Sequence, residues 1–253
     1  MSKVRYNFTD KVAFITGAGS GIGQMIAINC AQYGARVIVV DKNAQAGINT
    51  VNIIKNNRGE AKFFLADISI EDDVKNAIAF AVDSYHIINF AINNAGIEGA
   101  RAPIAEYPKQ EWDKVIAVNL TGVYLCMRHE IQQMLKQGFG AIVNIASIGG
   151  LIAIPNIGGY VASKHGVIGL TKQAAIEVAT KGIRVNAVAP GLINIGLTDR
   201  VSQEFKNQIV SGSAIGRMGE ANEIAAAVLW LCSEESSFMI GQTLVLDGGY
   251  TVI

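Results

Sequence analysis

Residues 12–41 read VAFITGAGSGIGQMIAINCAQYGARVIVVD. A short apolar run, Val12–Thr16, meets glycines at positions 17, 21 and 23, and a helix-like segment follows. A second apolar run, Arg36–Val40, ends in Asp41. Strand, glycine turn and helix in this order form the context a phosphate-binding loop needs. Glycine lets the backbone turn tightly and approach a pyrophosphate, and the helix N-terminus offers free N–H groups at the positive end of its dipole. An acidic residue about 20 positions after such a loop is where an adenosine ribose hydroxyl is gripped. A carboxylate there accepts hydrogen bonds from a 2′-hydroxyl and repels a 2′-phosphate. At ~4 Å and an effective dielectric of ~20, each pair of unit charges costs about 4 kcal/mol before screening. Asp41 therefore predicts NAD over NADP, and Lys42 beside it is the countersignal.

Outward from this unit, strand and helix alternate with short connections. Asn43–Arg58 reads as a helix closed by Gly59, and Ala61–Ala66 as a strand delivering Asp67. A helix from Glu71 to Ser84 follows, then a strand at Ile87–Ile92 that runs into Asn93-Asn94-Ala95-Gly96. Glu111–Gln137 is one long helical pattern containing Asn119, a poor mid-helix residue that calls for a specific contact. Gly140–Ala146 is a strand, Ile157–Lys181 a helix, Ile183–Ala189 a strand ending at Pro190-Gly191, Ala221–Cys232 a helix and Thr243–Leu246 a last strand. Leu192–Met218 is weakly patterned and predicts a loop-plus-helix lid over a site at the strand ends. This alternation predicts a parallel, doubly wound α/β sheet. No linker, low-complexity tract or internal repeat divides residues 1–253, so a single domain is expected.

Half the residues are apolar and 17% are charged, which suits a sheet covered on both faces and buried subunit contacts. Lys+Arg and Asp+Glu balance at 21 each, so neither nucleic acid nor an anionic membrane is an expected partner. Cys30, Cys126 and Cys232 are widely spaced and read as buried small residues in a reducing compartment, without a metal site. MSKVRYNFTDK has no apolar core of a signal peptide, and the apolar run at Ile224–Cys232 is too short to span a bilayer; cytoplasm is the expected location.

The chemistry gathers between Ser147 and Lys164. Thirteen positions separate Ser147 from Tyr160, and four separate Tyr160 from Lys164. Residues i and i+4 share a helix face. An ammonium beside a phenol favours the phenolate; bringing a tyrosine from ~10 toward neutrality takes roughly 3–4 kcal/mol of differential interaction. Ser147, at the end of a strand, would hydrogen-bond a substrate oxygen also held by Tyr160. A Tyr-x-x-x-Lys pair alone also describes a half-buried tyrosine and a snorkelling lysine, so its meaning rests on the rest of the chain.

TGAGSGIG from Thr16 to Gly23, Asp41, Asp67, NNAG from Asn93 to Gly96, Asn119, Ser147, YVASK from Tyr160 to Lys164 and Pro190-Gly191 together resemble the short-chain dehydrogenase/reductase family, over about Lys11 to Gly249. The resemblance implies one Rossmann-type domain whose seven-stranded parallel sheet has the order 3-2-1-4-5-6-7, usually assembled as a homotetramer. It implies hydride transfer between a nicotinamide and an alcohol or carbonyl carbon. Tyr160 would be the general acid/base, Lys164 would lower its pKa and hold the nicotinamide ribose, Ser147 would bond the reacting oxygen, and Asn119 would support a water-linked proton relay to Lys164. The cofactor would lie along Gly17, Ser20, Gly21, Ile22, Gly23, Asp41, Asp67, Ile68, Asn93, Ala95 and Gly96, touch Tyr160 and Lys164, and place its nicotinamide near Pro190, Gly191 and Ile193.

Two positions depart from the family pattern. Ile195 stands where many members carry a Thr beside the nicotinamide carboxamide, with Thr198 as a substitute, and Asn89 replaces an aspartate before NNAG. Residues around Ile97, Ile148, Gly149, Ile154 and Ile157 should line the substrate pocket, with Arg101 at its rim; an uncharged, fairly apolar secondary alcohol or ketone fits best. The alternatives are a 3-oxoacyl thioester reductase using NADPH and a non-catalytic dinucleotide sensor. Gln132 and Ile176, in place of carrier-docking cations, argue against the first, although Arg128, His129 and Lys172 lie nearby. The intact Ser147, Tyr160, Lys164 and Asn119 argue against the second.

Overall fold

In the computed structural model, which describes residues 6–195 and 203–252, strand β1 (Val12–Thr16) is buried along its whole length. A strand covered on both faces is expected to be apolar throughout. The chain continues through α1 (Gly21–Gln32), β2 (Arg36–Asp41), α2 (Ala44–Asn56), β3 (Glu60–Leu65), α3 (Glu71–Tyr85) and β4 (Phe90–Asn93). Then come α4 (Lys109–Ile116), α5 (Val123–Gln137), β5 (Gly140–Ile145), α6 (Gly158–Val178) and β6 (Ile183–Pro190). The short β7 (Ile193–Asn194), α7 (Gln203–Ser211) and β8 (Gly219–Glu220) precede α8 (Ala221–Cys232) and β9 (Thr243–Leu246). Seven strands make a parallel sheet in the order β3-β2-β1-β4-β5-β6-β9. This is the expected order; the last strand is the ninth in the chain because β7 and β8 pair with each other, and part of the expected lid, residues 196–202, lies outside the described residues.

The two-residue period of β1 builds two cores. Ala13 and Ile15 pack with Ile26 and Ala27 of α1 and with Ile224 and Val228 of α8. Val12 and Phe14 pack on the other face with Ala77 and Ile78 of α3, Met127 and Met134 of α5, and Val167 of α6. Burying each large apolar side chain contributes about 1.5–3 kcal/mol. Because β1 lies between β2 and β4, the winding reverses at its C-terminal end, and a crevice opens there. Cys30, Cys126 and Cys232 are buried and free. Among the described residues no helix is long and apolar enough to cross a membrane, and no cluster of His, Cys, Asp and Glu could hold a metal ion.

Two elements differ from their sequence-based bounds. The single helix expected over Glu111–Gln137 begins at Lys109 and changes to a π-helical turn over Ala117–Gly122. Asn119 sits in that turn, and its side chain finds backbone partners outside the helix, which offsets its poor helical propensity. The fourth strand starts at Phe90, not Ile87. Ahead of it, Gln137 bonds both the N–H and the C=O of Ile88, and the Asn89 side chain accepts a 2.8 Å hydrogen bond from the N–H of Val12. Asn89 is thus a structural tie between strand ends.

Arg184 of β6 holds the far end of α8. Its guanidinium donates to the carbonyls of Leu231, Ser233 and Ser236 and to the Ser236 hydroxyl, at 2.8–3.2 Å. Three of these acceptors are carbonyls at or beyond a helix C-terminus, which otherwise lack partners. Arg184→Met keeps the aliphatic stem and orphans them; a loss of about 2–4 kcal/mol is expected, read as a lower urea midpoint at unchanged slope.

Candidate active site

The glycine turn and the segment after β4 brace each other. Gly17 has φ of +62°, and a Cβ there would lie 2.7 Å from the Cα of Ala95. The Asn94 side-chain amide donates to the carbonyls of Thr16 (3.1 Å) and Gly17 (2.9 Å). In return the Thr16 hydroxyl accepts from the N–H groups of Asn94 (3.1 Å) and Ala95 (3.2 Å). Asp41 ties the turn from the other side, accepting from the N–H of Gly19 and of Asn43, both at 2.8 Å.

The N-terminus of α1 fits a dinucleotide phosphate. No side chain caps it, and its first turn carries no acidic residue. Its donors are open to an anion in the way a pyrophosphate requires. A Cβ on Gly21 would come no nearer than 3.6 Å to its closest neighbour, the Ile195 side chain, so the backbone here is not crowded.

A cavity of about 530 Å³ runs along the strand ends from Asp41 and Lys42 to Tyr160. It is lined by Gly17, Ser20, Gly21, Ile22, Asp41, Asp67, Ile68, Ala95, Gly96, Ser147, Tyr160, Lys164, Pro190, Gly191 and Ile193, all expected site residues. Burial raises the Asp67 carboxyl, yet hydrogen bonds from Ser69 and the nearby Lys42 charge hold it below its ordinary value. The Lys42 charge therefore acts on Asp67 at this end. Of the expected substrate pocket, Ile97, Ile148, Ile154, Ile157 and Arg101 line the cavity, and Gly149 lies behind Ser147 and Tyr160.

Three expected site residues lie outside the lining. A Cβ on Gly23 would come within 2.3 Å of the Gly17 carbonyl oxygen and the Asn94 amide, so Gly23 supports the turn from beneath. Asn93 points into the core, to Glu130 and Asn144, because strand parity gives the crevice side to Asn94. Asn119 is turned to the backbone of Ile97, accepting from its N–H and donating to its C=O, both at 2.8 Å, and it also donates to Ser163 at 3.2 Å. Its side chain is consumed in fixing the Gly96–Ile97 segment, so any proton relay would not run through its amide. Thr198 lies outside the described residues. Asn94, quoted within NNAG but not expected as a cofactor contact, and Glu98 also line the cavity; neither had a signal in the sequence beyond its place.

At the β5 end, the Ser147 hydroxyl accepts from the N–H of Gly149 (3.1 Å) and lies near enough to the Tyr160 hydroxyl to favour its ionised form. The Lys164 ammonium is buried, donates to the carbonyl of Ile145 at 2.7 Å, and lies 5.6 Å from the centre of the Tyr160 ring. The expected ionisation order is reversed here. Burial raises the Tyr160 phenol and Glu98 adds to it, while the Ser147 hydroxyl only partly offsets them. Burial also pushes Lys164 down, to about 8. Low dielectric disfavours both charged forms, and the ammonium is spent on a carbonyl. In the free chain burial outweighs the influences that would lower the Tyr160 pKa.

A Rossmann-type sheet with an open helix N-terminus at its switch point, and Ser, Tyr and Lys at the far end of one cavity, defines a dinucleotide-binding oxidoreductase. A family model described as enoyl-(acyl carrier protein) reductase matches residues 17–251. Cyclohexanol dehydrogenase of Acinetobacter sp. strain SE19 is 45% identical over 99% of both chains. Among solved structures, levodione reductase superimposes with a TM-score of 0.95 at 35% identity, covering 97% of this chain and 99% of that one. NAD+-bound xylitol dehydrogenase does so at 0.92 and 32% identity, covering 96% and 99%. Another matching structure holds NADP. The chain belongs to the short-chain dehydrogenase/reductase family and is an oxidoreductase.

Proposed function

We propose that this enzyme transfers a hydride between NAD(H) and an uncharged, fairly apolar secondary alcohol or ketone. The observation that carries the reading is the meeting of Ser147, Tyr160 and Lys164 in one cavity whose other end is closed by Asp41. In oxidation the Tyr160 oxygen takes the alcohol hydroxyl proton while Ser147 holds the same oxygen; in reduction the proton runs the other way. The nicotinamide supplies hydride chemistry at the carbinol carbon. Lys164 contributes positive charge beside the phenolic oxygen and a donor to the ribose. The isoleucines at 97, 148, 154 and 157 exclude water and favour an apolar ring or chain. The cyclohexanol dehydrogenase likeness supports a cyclic alcohol. Exposed apolar side chains at Ile176, Phe238 and Val252 support a homotetramer, and the reducing cytoplasm suits three free thiols.

The second reading, an acyl-carrier-protein-linked reductase using NADPH, draws on the family model's description and the NADP-bound match. Against it, Gln132 and Ile176 are exposed without charge, and Arg128 and His129 are both engaged by Glu71.

A panel of alcohols, ketones and an acetoacetyl thioester, run with each coenzyme, separates the two. NADH should be favoured on a secondary alcohol or ketone, and Asp41→Ala should cut the NADH:NADPH ratio of kcat/KM by about 100-fold, the repulsion left after screening. An NADPH preference in the unaltered enzyme on the thioester would overturn the proposal.

A further inference from the structure

Glu130 of α5 is fully buried, yet among the described residues no cation meets it. Its partner is Asn93, the last residue of β4, whose amide donates to Glu130 Oε2 at 3.0 Å and to Asn144 Oδ1 at 3.0 Å. The Asn144 amide passes the chain on to the Thr171 hydroxyl at 2.9 Å. Both hydrogens of the Asn93 amide are then used. What remains is one oxygen on each member of the pair, Glu130 Oε1 and Asn93 Oδ1, buried and without a hydrogen-bond partner. A carboxylate worsens this arrangement, because it adds a charge and a further acceptor where donors are lacking. A carboxylic acid resolves it: its O–H is the missing donor, and an acid and an amide close into a ring of two hydrogen bonds.

We infer that Glu130 is held as a neutral carboxylic acid that closes a reciprocal pair with the Asn93 amide, and that it is a positioning residue for the cofactor-facing segment Asn93–Gly96. Burial pushes its pKa up, to about 8, while the Asn93 hydrogen bond pulls it back. The surroundings match on every packed element. β4 presents Asn93 and β5 presents Asn144; α6 presents Thr171 to Asn144; α3 packs with buried Ala77, Ile78 and Ala81; β6 offers Val185 and Ala187. On α5 itself the titratable neighbour is Cys126, whose thiol burial and Glu130 push well up and so keep neutral. The position matters because Asn93 pairs with Thr16 of β1 and Asn144 of β5, and Asn94, one residue on, holds the glycine turn.

The sign follows from proton linkage. A carboxyl near 4.5 unfolded and about 8 folded contributes stability that is full below 4.5 and is lost as pH rises through 8. E130Q keeps a donor and an acceptor in the same places and cannot titrate. Between pH 5 and 8 the folding constant of the unaltered protein should therefore fall relative to E130Q, by up to about tenfold per unit. With 13C-labelled glutamate, the carboxyl signal that disappears in E130Q should keep the position of a protonated acid at pH 6.5 and move only near pH 8. A signal that titrates with the surface glutamates, or a pH slope unchanged in E130Q, overturns the neutral acid. The positioning role rests on the proposed dinucleotide site and is read separately, by NADH titration. E130L, which orphans Asn93, should bind at least about tenfold more weakly than E130Q, whose affinity stays near that of the unaltered enzyme. Equal affinity of E130L and E130Q overturns positioning and leaves the carboxyl measurement standing. Lys164 also titrates near 8, so the comparison is of variants at one pH, where that contribution is common to all.

Discussion

Tyr160→Phe lowers kcat/KM by about 10³-fold while the NADH dissociation constant stays within about twofold of its original value. Phenylalanine keeps the ring that lies beside Lys164 and in the cavity wall, and removes only the hydroxyl next to Ser147. A loss confined to turnover marks an interaction made in the transition state; an equal loss in NADH affinity would mark a packing role. Stopped-flow NADH oxidation and a fluorescence titration measure the two. A variant with full activity would remove Tyr160 from the chemistry.

The same residue carries a pH expectation. In the free chain burial keeps Tyr160 above its usual value and pulls Lys164 to about 8, so the phenolate–ammonium pair does not pre-exist. A cation seated in the cavity favours the phenolate and works against the burial that raised it. The tyrosinate absorbance that Tyr160→Phe removes should therefore rise at lower pH when NAD is bound than when it is absent. Identical titrations with and without NAD would show that the pair is not formed by the coenzyme.

Gly23→Ala is the second large effect. The added methyl would sit 2.3 Å from both the Gly17 carbonyl oxygen and the Asn94 amide. The first is backbone and cannot rotate away; the second holds the glycine turn through the Thr16 and Gly17 carbonyls. Relief requires α1 to move off the turn, at a cost of about 1–3 kcal/mol in overpacking. A fall in Tm of roughly 2–4 °C per kcal/mol and a loss of about 100-fold or more in NADH affinity are expected, by thermal melt and calorimetry. Retained affinity at unchanged Tm would mean that the turn is not the phosphate site.

What the sequence determined by itself is local and periodic. The apolar runs at Val12–Thr16 and Arg36–Val40 specified buried parallel strands, and the glycines between them specified a turn into a helix, because only those residue types satisfy those backbones. The meeting of Ser147, Tyr160 and Lys164 at one cavity also followed, since one strand end and one helix face set it, whereas the sheet order came from the family resemblance. The tertiary structure decided whatever depends on a neighbour distant in the chain. Strand parity does not say which of Asn93 and Asn94 faces the crevice until the opposing helix is known; α5 brings Glu130 to one and the glycine turn claims the other. The π-turn over Ala117–Gly122 has no signature in helical periodicity, and its reason is the Ile97 backbone that Asn119 must reach. The ionisation of Tyr160 and Lys164 was not legible for the same cause: a four-residue spacing puts lysine near tyrosine, but burial and the Ile145 carbonyl, both products of the completed fold, bear on their protonation.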